Sequence, residues 1–196
     1  MRTLFLAVIL GTAGACDRAV KNAPPGRTTQ EIGARRTIAE RTTAGWQEKG
    51  RLAARALIEK YGAPDEVHSA HVVWHGRDPW KKIIVRDLPP PYAGARTTEL
   101  GVVEESVVYA LRPDQARLLE AFGSTLSWDE KTGELTARSD SEPVNFLRVN
   151  LADEVVNGRL TVEQARDAYA RLMALEESGK TTGYLAGFRF RTVKTP

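Results

Sequence analysis

The amino-acid sequence predicts an α+β fold, a single domain in which an antiparallel sheet packs with helices. Three observations predict it. Strand-like and helix-like stretches follow one another in mixed order, with no regular strand–helix repeat. The links between successive strand-like stretches are short, which favours hairpins over crossovers. With 42% hydrophobic and 27% charged residues among 196, the composition is that of a globular protein. The domain is assigned to residues 45–196, behind a signal peptide over 1–15 and a flexible tether over 16–44.

The leader comes first. "MRTLFLAVILGTAGAC" has a charged start at Arg2, an apolar run from Leu4 to Leu10, and small residues Ala13, Gly14 and Ala15 before Cys16. That run is far short of the roughly 20 residues needed to span a bilayer, so it reads as a secretory signal. Cys16 is the chain's one cysteine, so no second cysteine offers it an internal disulfide. Ala13-Gly14-Ala15-Cys16 resembles the lipobox of bacterial lipoproteins, departing from the common pattern at Ala13, where leucine is usual. The resemblance implies cleavage before Cys16, diacylation of its sulfur, and a cell-envelope protein facing the periplasm or the exterior. Two or three acyl chains would hold such a protein firmly where one holds it marginally. Asp17 resembles the inner-membrane retention signal of enteric lipoproteins and tilts the expected location that way.

"DRAVKNAPPGRTTQEIGARRTIAERTT" follows and reads as the tether, polar and with little apolar periodicity, although Glu31 to Arg41 could form a loose helix. As a coil its 27 residues reach roughly 30 Å. The charge sits here: six basic residues against three acidic ones between Asp17 and Ala44 carry +3, whereas the rest of the chain from Gly45 balances 21 against 22. A neutral body with a mildly basic neck lacks the concentrated cationic face that nucleic acid requires, so no nucleic-acid partner is expected. The expected partners are membrane lipid, through acylated Cys16, and an envelope protein or polymer of unknown identity.

A helix is predicted from about Gly45 to Tyr61, with Trp46, Ala53, Ala54, Leu57, Ile58 and Tyr61 on one face, Gly62 as its cap and Pro64 as its stop. "EVHSAHVVW" and "WKKIIVRDL" read as two strands around the turn "HGRDP". "PPPYAG" reads as an extended loop, and "LGVVEESVVYAL" as a third strand with Val103, Val107, Tyr109 and Leu111 on one parity. Pro113 opens a helix to Phe122, closed by Gly123. "STLSWDEKTGELTAR" has the pattern of a hairpin. Ser139 and Glu142 have capping-box spacing before a helix ending near Asn157 and Gly158; Thr161 and Gln164 repeat it before a helix to about Glu177. The apolar stripe of this last helix is Val162, Ala165, Tyr169 and Leu172. "GFRFRTV", which alternates Phe188 and Phe190 with Arg189 and Arg191, reads as an edge strand.

"HSAHVVWHGRDPW" holds every histidine: His68, His71 and His75. On a helix the three would share a face and could bind zinc. On a strand, which Val72, Val73 and Trp74 favour, His68 points away from the other two. His71 and His75 then lie about 13 Å apart at ~3.3 Å per residue, too far for one ion with ligands at about 2.0–2.1 Å. No metal, cofactor or catalytic set is therefore assigned. Trp74 and Trp80 are expected to pack across the hairpin; the alternative is that Trp74, His75, Arg77 and Trp80 form an exposed aromatic and basic patch for a partner. Glu104-Glu105 and Glu176-Glu177 read as solvated surface. None of the phosphate-loop, nucleophile-elbow or HExxH motifs is present.

"LIEKYGAPDEV" and the strands after it are similar to the helix, Gly-x-Pro, strand passage of small accessory lipoproteins of the outer-membrane β-barrel assembly machine. Gly62-Ala63-Pro64 and Trp74 carry this likeness over some forty residues, and the later helices depart from it. The functional expectation is a non-catalytic binding or envelope-structural module. The alternative is an anchored envelope hydrolase using His71 or His75 as general base or metal ligand.

Overall fold

The computed structural model describes residues 28–89 and 101–192. Cys16, the signal peptide, the first part of the tether and nearly all of "PPPYAG" lie outside the described residues. Helix α1 spans Thr29–Ala44 and α2 Glu48–Tyr61; strands β1 Glu66–Val67, β2 His71–Arg77, β3 Trp80–Arg86 and β4 Val103–Val108 follow. After these come α3 Pro113–Phe122, β5 Leu126–Asp129, β6 Glu134–Ser139, α4 Glu142–Val156, α5 Val162–Glu177 and α6 Gly183–Ala186. The strands form one sheet, every pair antiparallel, in the order β1-β2-β3-β4-β6-β5. This is the expected α+β class. Among the described residues no helix is long and apolar enough to cross a membrane.

The tether expectation is corrected for residues 29–44, which form α1. A capping box starts it: the Thr28 hydroxyl accepts from the Glu31 amide at 3.2 Å, and the Thr28 amide donates to Glu31 Oε2 at 2.8 Å. The helix buries only Ala39 and Thr43, a stripe too thin to show as apolar periodicity. These small residues let it lie against α2, and Arg35 Nη1 donates to the Asp65 carbonyl at 2.7 Å. Helix α2 starts three residues later than expected. Trp46 is buried ahead of it and donates Nε1–H to the Ser69 carbonyl at 2.8 Å. Gly62, at φ +78°, ends α2 with its amide on Ile58 O, and Trp74 Nε1 donates to the Gly62 carbonyl at 3.1 Å.

"EVHSAHVVW" is not one strand. It breaks after Val67, turns through His68, Ser69 and Ala70, and returns as β2, closed by the His68 amide on the His71 carbonyl at 2.9 Å. Strand β4 is shorter than expected: Val103 and Val107 face the core, while Tyr109 and Leu111 lie beyond its end, partly buried against the core. The β5–β6 hairpin turns at Gly133 (φ +64°), with Asp129 Oδ1 accepting from the Lys131 and Thr132 amides.

Helix α4 is central. Phe146, Val149, Ala152 and Val156 join the core cluster of the sheet and α2, whereas Leu147, Leu151 and Val155 join a second cluster with Ala165 of α5 and Leu185 of α6. The Thr161–Gln164 capping box opens α5 as expected. The Ser139–Glu142 box does not form. Ser139 Oγ donates to the Ser141 carbonyl, and the Glu142 side chain turns inward to Tyr61 and Trp80. The expected C-terminal edge strand is also absent. Asn150 Nδ2 donates to the carbonyls of Tyr184 and Gly187 and Asn150 Oδ1 accepts from the Arg189 amide, supplying the partners a neighbouring strand would supply. Phe188 packs edge-on against Trp80 and Phe146, and Phe190 against Tyr109.

Gly50 allows α2 to approach the end of β3: a Cβ there would lie 2.8 Å from the Arg86 carbonyl. Gly50→Ala is predicted to lower unfolding stability in urea by about 1–3 kcal/mol. The control is Gly33→Ala in α1, whose Cβ meets nothing within 4 Å. It should stabilise by about 0.5–1 kcal/mol.

Candidate functional site

The turn that breaks the first strand gathers the histidines. Glu66 lies opposite Val73 in the β1–β2 register, so its diagonal neighbours on the same sheet face are His71 and His75. Its carboxylate bridges two imidazoles: Oε1 lies 2.7 Å from His75 Nε2 and Oε2 lies 3.2 Å from His68 Nε2. The His68 and His71 rings stack with centroids 4.3 Å apart. The expectation that His68 points away from the other two is therefore corrected. It assumed one straight strand, and the chain reverses at Ser69.

The two hydrogen bonds from the imidazoles hold Glu66 below the ordinary carboxylate range. Partial burial, with the neighbouring His68 and Arg86, holds His71 below the usual imidazole range. Asp65 anchors the base of the hairpin. Its amide donates to the Val73 carbonyl, its Oδ2 accepts from the His75 amide at 2.8 Å, and its Oδ1 accepts from Arg77 at 3.2 Å. The donors available to a metal here are Glu66, His68 and His75.

The four residues considered as an exposed patch do not form one. Trp74 and Trp80 are fully buried, and Arg77 is buried against Asp65; of the four, His75 alone is exposed. Trp80 donates Nε1–H to Glu142 Oε1 at 2.9 Å and stacks obliquely on Phe146. The two indoles thus end on different acceptors, Gly62 O and Glu142.

A second constellation was missed at the level of sequence. Three donors from α2 and β3 converge on Glu142 of α4: the Tyr61 hydroxyl, Trp80 Nε1, and Lys60 Nζ at 2.5 Å. Burial and the Glu142 charge raise the Tyr61 phenol far above its usual range, so it stays a donor. Glu105, read as surface, is fully buried. Its Oε2 accepts from Asn145 Nδ2 at 2.9 Å, and its Oε1 has no partner among the described residues. Burial first, then the Glu142 charge, pushes its carboxyl well above the ordinary range, against the smaller opposing pulls of Asn145 and Lys60. A signal was present: Glu105 shares parity with Val103 and Val107. Its neighbour Glu104 takes the other face, where it pairs with Arg86 at 3.0 Å and with Arg138.

No protein-family model, no curated protein and no solved structure matches the chain. What the site can do is therefore argued from its own geometry. The histidine hairpin is an exposed surface of nitrogen and oxygen donors on a pinned backbone. In the Glu105–Glu142 cluster both acids, Tyr61 and Trp80 are buried, and Lys60 reaches in from the surface.

Glu105 keeps its proton in the folded protein at pH values where the unfolded chain has lost it. Its contribution is thus complete below an unfolded pKa of about 4.3 and falls as pH rises toward the folded value, by about 1.4 kcal/mol per pH unit across that interval. Glu105→Gln, which is isosteric with the protonated acid, is predicted to match the parent in urea unfolding near pH 4. At pH 8 it should be the more stable of the two in urea unfolding.

Proposed function

We propose that the protein is an extracytoplasmic lipoprotein, held to the membrane by acyl chains on Cys16, whose domain is a non-catalytic binding or structural module of the cell envelope. The observation that carries this is the leader: an apolar run from Leu4 to Leu10, then Ala13-Gly14-Ala15 ahead of the chain's one cysteine. The folded domain begins close behind it. From Cys16 to the start of α1 at Thr29 the chain spans at most about 45 Å. The domain would therefore work within one domain's width of the headgroups, and Asp17 favours the inner membrane. The exposed histidine hairpin is the surface on which an envelope protein or polymer would be met.

A second reading, an anchored hydrolase, draws on one specific feature. His75 Nε2 is held by the Glu66 carboxylate at 2.7 Å, the arrangement in which a carboxylate orients an imidazole base. On that reading His75→Ala abolishes turnover of envelope material while the melting temperature stays unchanged. On the binding reading no such turnover exists to lose.

The anchor is tested by fractionation and mass spectrometry. The native protein should sediment with membranes and carry diacylglyceryl on an amino-terminal Cys16. Cys16→Ser should appear in the soluble fraction or retain its leader. A membrane-bound, acylated Cys16→Ser protein would overturn the proposal.

A further inference from the structure

We propose that Glu66, His68 and His75 form a surface site for one divalent transition-metal ion of the zinc class. The inference rests on the β1–β2 hairpin and is independent of the anchor at Cys16.

Two imidazole nitrogens and one carboxylate make an N2O set; imidazole suits zinc, copper and nickel, whereas calcium and magnesium prefer all-oxygen shells. The spacing is close to what such an ion needs. A tetrahedral ion with ligands at about 2.0–2.1 Å keeps its ligand atoms roughly 3.3–3.4 Å apart. Glu66 already sits 3.2 Å from His68 Nε2 and 2.7 Å from His75 Nε2. In each of these contacts one proton bridges the two atoms that would otherwise hold the metal.

What remains is for the two nitrogens to approach each other, since they now engage opposite oxygens of the carboxylate. Among the described residues no three such donors yet converge on a single point. The required motion is one of side chains on the hairpin surface. The side chains of Glu66, His68 and His75 are 48%, 49% and 52% exposed, so Glu66 and His75 turn into solvent while His68 stays on the His71 ring. The backbone beneath them need not move, because the His68–His71 turn bond and the Asp65 contacts fix the hairpin. His71 lies on the His68 ring and steadies it, acting as a positioning residue. Three protein ligands leave at least one coordination position open to water or to a donor from a binding partner.

The test is titration of the full-length protein, purified in detergent if it fractionates with membranes, with zinc chloride against a chromophoric zinc indicator. The expected result is one saturable zinc per chain. Glu66→Gln, His68→Ala and His75→Ala should each weaken binding about tenfold or more. Circular dichroism and melting of the three apo-variants should match the parent, because the altered side chains are exposed. Cys16 is identical in all four proteins, so the difference between them isolates the hairpin. Failure of the parent to bind zinc saturably would overturn the site, as would equal affinity in parent and variants. Neither result bears on whether Cys16 is acylated.

Discussion

Helix α4 must be apolar on two sides, because the sheet covers one and α5 with α6 covers the other, and this double burial constrains everything packed around it. A polar group on such a helix has no water to turn to and must find a protein partner. Asn150 becomes the ligand for the backbone of the C-terminal segment. Asp153 accepts from Tyr109 Oη at 2.5 Å and pairs with Arg159, tying the helix to the end of β4 and to the loop before α5. Glu142 gathers Lys60, Tyr61 and Trp80. Each of these side chains joins segments distant in sequence. The helix therefore organises the fold through its few polar residues as much as through its many apolar ones.

Glu105 of β4, packed against this helix, shows the cost of the same constraint. It enters the core on the parity of Val103 and Val107, finds one donor in Asn145, and leaves an oxygen without a partner among the described residues. A carboxyl in that position is held neutral by desolvation, because a second buried charge beside Glu142 would be repelled as well as dehydrated. The core is thus built around two acids, Glu142 with three donors and Glu105 with a single donor.

The parts of the fold legible in the sequence are those whose signals are local. Pro113 and Gly123 bracket α3 to the residue, and the Thr161–Gln164 box opens α5, because a helix end is decided within one turn of chain. The parts that were illegible depend on partners far along the chain. Phe188 and Phe190 alternate as a strand would, and period-two alternation cannot tell a segment held by a neighbouring strand from one held by Asn150. Helix α1 shows no apolar stripe because the residues it buries are only Ala39 and Thr43. The candidate site failed for a related reason. The histidines were measured along a straight strand, whereas one backbone bond from His68 to His71 reverses the chain and brings Glu66 between His68 and His75. Burial of Trp74, Arg77 and Trp80 then followed from contacts to Gly62, Asp65 and Glu142 that no local pattern announces.

Asp65 connects these two halves of the story. Its carbonyl receives Arg35 of α1, its amide and carboxylate hold the backbone of β2 at Val73 and His75, and its carboxylate neutralises the buried Arg77. A buried pair of this kind is costly to form and costlier to break from one side, since removing Asp65 would leave a guanidinium uncompensated in the interior. Such an arrangement adds rigidity in a place where rigidity has a use. Helix α1 is the first described element after Cys16, and through Asp65 it is coupled directly to the hairpin that carries Glu66 and the histidines. On the anchored reading, the chain emerging from the membrane enters the domain beside its donor surface. That surface would then have a limited range of heights and orientations above the headgroups. A partner confined to the same membrane would meet it at an effective concentration set by the short span from Cys16 to Thr29, so that modest intrinsic affinity at the hairpin would suffice.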